Sequence, residues 1–208
     1  MDAVLFDLGR VLVEWDPFLP FAGRYPRADV ERFFADVDFA SFNHRQDAGR
    51  SWADARAELL ASHPHHVPLL DVYVRRFAES VPHEVPGASA LVADVLAAGL
   101  RAHGLTNWSA ETYSVAPRQA PVIARLEGVL VSGEVGLAKP DARIFELAAA
   151  RFGLDPRRTL FVDDAARNVE GARATGYRAH LFTGHADLRR HLVDLGVPVP
   201  GQEAAPPP

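Results

Sequence analysis

The sequence predicts an α/β protein with a Rossmann-like, three-layer core built on a parallel sheet, and a small helical block inserted after the first strand. Three observations predict it. Short apolar runs recur along the chain and each ends in a polar or acidic residue. Helical patterns separate those runs, which is the signature of a parallel sheet covered on both faces. The stretch from Asp16 to Val85 breaks the alternation, because it carries helical spacing and no strand-like run.

The first apolar run is Ala3 to Phe6, followed by Asp7-Leu8-Gly9-Arg10-Val11-Leu12. A run of this length and composition reads as a buried strand. Gly9 is suited to a sharp turn that brings backbone close to a ligand. Val11 to Trp15 is apolar enough for a short hairpin arm. In open α/β sheets, ligands bind beyond the carboxyl ends of the strands. Asp7 therefore stands where a carboxylate nucleophile would, of the kind that forms aspartyl-phosphates. A turn-capping aspartate is the plainer reading of the same residue.

In the insertion, Val30, Phe33, Phe34 and Val37 repeat at helical spacing. Ser51 and Asp54 have capping-box spacing and open a helix to about Ser62. Leu69, Leu70, Tyr73, Val74 and Phe77 mark the inner face of another. Pro82, Pro86 and Gly87 punctuate the return.

A helix around Leu91 to Leu96 leads to a strand that ends in Leu105-Thr106-Asn107-Trp108. A further helix and Pro121 follow. The next strand, Val129 to Val131, leads into Ser132-Gly133-Glu134 and then Lys139-Pro140. A helix carries Ile144 and Phe145. The fourth strand, Thr159 to Val162, ends in Asp163-Asp164, and a helix stopped by Gly176 follows. The fifth strand is about Ala179 to Phe182, and the last helix uses Leu188, Leu192 and Leu195. The predicted organisation is a core of residues 1–15 and 86–196, a helical cap of 16–85, and a disordered Pro/Ala-rich tail from 197 to 208.

Composition narrows the function. A net charge of -5 argues against nucleic acid or an anionic membrane as a main partner. The absence of cysteine excludes disulfides, cysteine nucleophiles and thiolate metal sites. No apolar run approaches the ~20 residues of a membrane span. The first strand begins so early that no signal peptide is expected before it, and the expected location is the cytoplasm.

A parallel sheet puts Asp7, Thr106 and Asp163-Asp164 on one edge, with Lys139 in reach. Three carboxylates near one point repel unless a cation lies among them. The donors are hard oxygens, so Mg²⁺ suits them. A lysine point charge can hold a phosphate. Together these are the parts of phosphoryl transfer.

The same residues carry a resemblance. Phe6-Asp7-x-Gly9-x-Val11-Leu12, then Leu105-Thr106-Asn107, then Ser132-Gly133…Lys139-Pro140-Asp141, then Phe161-Val162-Asp163-Asp164…Asn168-Val169-Glu170-Gly171-Ala172, resemble the haloacid dehalogenase-like hydrolases over nearly the whole chain. The insertion is similar to that family's small helical cap. Within the family, the chain resembles most the bacterial sugar-phosphate phosphatases, including the α-glucose-1-phosphate group.

The resemblance implies roles. Asp7 would attack phosphorus. Thr106 and Asn107 would bind phosphoryl oxygens, and Lys139 would hold Asp7 and the phosphate together. Asp7, Asp163, Asp164 and the backbone carbonyl of Gly9 would bind Mg²⁺. The substrate would be a small phosphorylated metabolite. Two departures stand out. Many family phosphatases carry a general acid–base aspartate where this chain has Gly9, and Asn168 replaces another aspartate, where a neutral amide could still orient the site.

Asn43, His44 and Arg45, placed between two helices of the insertion, are candidates for substrate contacts, with His44 a candidate proton donor and a surface loop the plainer reading. Trp15 and Trp108 could wall a pocket or belong to the core. Arg10 is expected to face outward. His63, His65 and His66 read as a solvated loop rather than a metal cluster. Two other functions fit the fold. One is a metal-free 2-haloacid dehalogenase using Asp7, which the Gly9 and Asp163-Asp164 pattern disfavours. The other is a catalytically impaired binding or regulatory protein. The oligomeric state is not legible.

Overall fold

The computed structural model describes residues 1–199. Five strands form one sheet: β1 (Ala3–Phe6), β2 (Arg101–Thr106), β3 (Val129–Val131), β4 (Thr159–Asp163) and β5 (Arg178–Leu181). Their order is β3-β2-β1-β4-β5 and every pairing is parallel. β1 therefore lies at the centre, with Phe6 opposite Gly104 on one side and Val162 on the other.

The period of two along each strand divides the core. Val4 and Phe6 of β1, with Leu160 and Val162 of β4, face one layer; Leu5 and Phe161 face the other. Helices α5 (Ala88–Ala97) and α10 (His185–Asp194) cover the first face through Leu91, Val92, Val95, Leu188 and Leu192. Helices α8 (Ala142–Phe152) and α9 (Ala166–Ala174) cover the second through Ile144, Phe145, Ala148 and Ala172. Two short helices, α6 (Ala116–Gln119) and α7 (Ser132–Val135), follow β2 and β3.

Between β1 and α5 lie α1 (Arg27–Asp36), α2 (Phe39–Asp47), α3 (Trp52–Ser62) and α4 (Val67–Arg75). Ser51 caps α3, its side chain accepting from the Asp54 N–H at 3.0 Å. These helices close on Phe33, Phe39, Trp52, Leu59, Leu70 and Tyr73, all buried. Val74, Phe34 and Val37 are only partly buried.

Two expectations are corrected here. Val11 to Trp15 is no hairpin arm. It runs antiparallel to the returning segment instead, with Glu14 N–H bonded to His83 O, Asp16 N–H to Ser80 O and Val85 N–H to Leu12 O. The chain thus leaves and re-enters the sheet layer through one hydrogen-bonded pair of segments. Nor does the predicted disordered tail begin at residue 197: Val197 and Val199 are buried in the core. Residues 200–208 of that predicted tail lie outside the described residues. Among the described residues no helix is long and apolar enough to cross a membrane.

Two glycines fix how the site loops pack. A Cβ on Gly171 of α9 would stand 2.8 Å from Pro140 O, and one on Gly133 would stand 2.4 Å from Ala110 N. Glycine is needed at both because backbone meets backbone there. Gly171→Ala is predicted to lower stability by about 1–3 kcal/mol through overpacking, read as a reduced denaturation midpoint at unchanged m-value.

Candidate active site

Asp7 follows the last residue of β1, and its N–H continues the ladder to Val162 O at 2.8 Å. One carboxylate oxygen, Oδ1, accepts from Leu8 N–H at 2.7 Å and lies 2.9 Å from Lys139 Nζ. No described hydrogen bond uses Oδ2, which leaves it available as an attacking or ligating atom. The turn beyond Asp7 differs from expectation in one respect: its left-handed residue is Arg10 (φ 59°), not Gly9. A Cβ on Gly9 would meet nothing within 4 Å, so its bare backbone opens space in the cleft.

Lys139 is fully buried. Its ammonium donates to Asp163 Oδ2 at 2.7 Å and to Leu105 O at 2.8 Å, besides pairing with Asp7. Burial disfavours the ammonium, but Asp163 and Asp7 outweigh that and raise its pKa. Burial also pushes Asp7 up to about 7, against the pull of Lys139. Asp164 is raised by burial and by Asp163, with Arg10 and Lys139 opposing.

Asn168 donates to both Asp163 oxygens, at 3.0 and 3.1 Å. The amide thus orients the site, as its chemistry allows. Asn107 lines the cleft and also has a structural part. Its side chain brackets the backbone of Lys139, donating to Lys139 O at 2.9 Å and accepting from Lys139 N–H at 2.8 Å. Thr106 is buried at the end of β2, beneath the cleft wall rather than in it.

Asp7, Asp163 and Asp164 bring one carboxylate oxygen each within 4.8 Å of the others. No described hydrogen bond ends on the Gly9 carbonyl. This hard-oxygen donor set fits Mg²⁺.

A cleft of about 350 Å³ opens over Asp7, Gly9 and Asp164. Helix α2 forms part of its wall, with Phe39, Ala40, Asn43, His44 and Asp47 on one helical face. Asn43, His44 and Arg45 are therefore inside a helix and not in a loop. Successive helical residues diverge by 100°, so Asn43 and His44 line the cleft while Arg45 turns away to Glu58 at 2.8 Å. Trp15 and Trp108 both line the cleft, and Trp108 Nε1 donates to Thr112 Oγ1 at 3.2 Å. Trp52 and Phe77 complete an aromatic wall. Arg10, although exposed, also borders the cleft, 3.8 Å from Asp164.

Sequence reasoning passed over Asp47, Ser109 and Arg167, which also line the cleft. Nothing in the spacing around Arg167 distinguished it from a solvated helix residue. Asp47 had a legible signal, its i,i+4 relation to Asn43, whose Nδ2 donates to Asp47 Oδ2 at 3.3 Å. Burial pushes Asp47 up to about 7, with Lys139, a backbone bond from Ser109 and Asn43 acting against it. Burial and Arg167 lower the pKa of His44.

The histidine cluster is not a plain solvated loop. His65 is exposed, but His66 is buried on a 3₁₀ turn with Nε2 2.8 Å from Asp36 Oδ2. That pair ties the end of α1 to the start of α4.

The family model for haloacid dehalogenase-like hydrolases matches residues 1–176. The chain belongs to this family. A phosphoserine phosphatase of Thermus thermophilus is 37% identical over 95 residues, covering 45% of this chain and 38% of its own. An N-acetylmuramic acid 6-phosphate phosphatase of Pseudomonas aeruginosa is 28% identical over 194 residues, covering 85% and 79%. The structure of a family enzyme from Bacteroides thetaiotaomicron in complex with magnesium and inorganic phosphate aligns with a TM-score of 0.68 at 19% identity, over 86% of this chain and 93% of that one. At that identity the likeness shows the fold alone. The chain spans between about a third and somewhat over half of the length of the first three curated relatives it matches (38%, 56% and 36%).

Because Asp47 holds its proton more tightly folded than unfolded, its contribution to stability falls as pH rises from about 3.8 through about 7. Lys139, Asn43 and the Ser109 backbone are the groups acting on it, and it acts in turn on Tyr73. Asp47→Asn removes that loss. It is predicted to stabilise the protein by about 1–2 kcal/mol at pH 8 and by little at pH 4, in thermal melts at both pH values.

Proposed function

We propose that the protein is a Mg²⁺-dependent phosphatase acting on a small phosphorylated metabolite through an aspartyl-phosphate on Asp7. The observation that carries this reading is the Lys139 ammonium, buried between Asp7 and Asp163 with Asp164 alongside. A haloalkanoate site needs no such group of acids, whereas a phosphoryl group needs both cation and nucleophile beside it. The phosphatases among the relatives support the same chemistry.

In this reading residues 1–15 and 86–196 form the catalytic core and 16–85 a cap. Asp7, Asp163, Asp164 and the Gly9 carbonyl hold Mg²⁺, which offsets the charge of the phosphoryl group. Lys139 fixes Asp7 Oδ1, leaving Oδ2 to attack phosphorus. Asn107, on the cleft wall, keeps the lysine loop in place. The cleft's aromatic wall and the Asn43 and His44 side chains receive the organic part of the substrate. A cleft of about 350 Å³ suits a small molecule, and sugar phosphates are the first class to test.

Phosphate release from a panel of phosphorylated metabolites is predicted to require Mg²⁺, to stop in EDTA and to be abolished by Asp7→Asn. Halide release from 2-haloacids in EDTA would overturn the reading in favour of a dehalogenase. A folded protein that binds Mg²⁺ and releases neither product would favour a binding role.

A further inference from the structure

An alkoxide leaving group must be protonated as its bond to phosphorus breaks, and the donor must stand on the far side of phosphorus from the nucleophile. The residue two places after Asp7 cannot serve, because Gly9 offers only open space. Asp163 is spent on Lys139 and Asn168, and Asp164 lies beside Asp7 on the metal side. The remaining carboxyl lining the cleft is Asp47, on α2, so it shares that space with Asp7 at the end of β1.

We infer that Asp47 is the general acid and base of the reaction, donating to the leaving oxygen and later accepting from water. This rests on the phosphatase reading above. In the first step Asp7 Oδ2 bonds to phosphorus, the bond from phosphorus to the leaving oxygen breaks, and the Asp47 proton passes to that oxygen. The products are a neutral alcohol, the aspartyl-phosphate and an Asp47 carboxylate. In the second step water attacks phosphorus and gives one proton to Asp47. The bond between Asp7 and phosphorus breaks, and hydrogen phosphate leaves with both aspartates restored.

The surroundings suit both states of Asp47. Burial keeps its proton near neutral pH. Once the proton has gone, the Asn43 amide at 3.3 Å and the Ser109 backbone bond support the carboxylate. Asp47 also acts electrostatically on the buried Tyr73 hydroxyl. His44, the other titratable group on this face, is held toward its neutral form by burial and Arg167, so it less often carries a proton to give.

The test is single-turnover kinetics with two substrates, p-nitrophenyl phosphate, whose acidic phenol leaves without help, and the best alkyl phosphate from the panel. Asp47→Asn should slow the first turnover of the alkyl ester by roughly 10²–10⁴-fold, and that of the nitrophenyl ester by less than about tenfold. With substrate in excess, its nitrophenolate should appear as a burst of one equivalent of enzyme, because the phosphorylated enzyme then lacks its base. Asp47→Glu should retain more alkyl activity than Asp47→Asn, and His44→Gln should not reproduce the selective loss on the alkyl ester. Equal losses on both esters, or no loss on the alkyl ester, would overturn the inference. So would a His44 variant that reproduces the selective loss. A wild type inert on every phosphate ester would instead overturn the phosphatase reading, and this inference with it.

Discussion

The structure depends on one buried cation. Lys139 has no exposed surface, yet it keeps its charge because two carboxylates and a main-chain carbonyl surround its ammonium. The partners come from three adjacent strands: Asp7 from just beyond β1, Leu105 from β2 and Asp163 from the end of β4. The lysine therefore ties three strand tips at the edge where the chemistry is expected. Burying such charges is costly unless each is paired, and removing one partner of a buried pair typically costs about 3–5 kcal/mol. That makes the loop carrying Lys139 a structural part as well as a chemical one. Asn107 brackets its backbone, Asn168 braces Asp163 from α9, and Gly171 lets α9 approach Pro140 closely.

The inserted helices complete this edge. Their aromatic core fixes α2, and α2 directs one face toward that core and another over Asp7. Phe42 and Gln46 are buried in the first sense, while Asn43 and Asp47 line the cleft in the second. Both connections to the sheet layer pass through the paired segments around Leu12 and Val85, so the placement of α2 over β1 is set by a short hydrogen-bonded hinge and by packing.

Much of this was legible because it is written in short-range patterns. Apolar runs ending in Asp7, Thr106 and Asp163 are strands whose common direction follows from alternation with helices, and Ser51 with Asp54 marks the start of α3. What stayed hidden depends on tertiary burial. Helix α2 has few apolar residues, so its sequence looks like a polar linker; only the packing of Phe39, Phe42 and Gln46 reveals its faces. Asp47 looks like any solvated helix-end carboxylate until its side chain is seen lining the cleft. The resemblance implies a phosphate contact for Asn107, and no spacing rule could reveal that its amide also brackets the Lys139 backbone. Gly9 was given the turn that Arg10 makes, since a left-handed conformation leaves little trace in sequence when arginine adopts it.

The location of a proton donor on the insertion has a consequence for selectivity. A donor next to the nucleophile would serve any phosphate ester that reaches the sheet edge. Asp47 instead stands on the same helical face as Asn43 and His44, so the groups that would receive the organic part of a substrate and the group that would protonate its leaving oxygen move as one body. A poorly seated substrate would then lose proton transfer along with binding contacts, and discrimination would appear in kcat as well as in KM. The bare Gly9 agrees with that division of labour: it keeps the core side of the cleft free of any side chain that could protonate an ill-fitting ester in place.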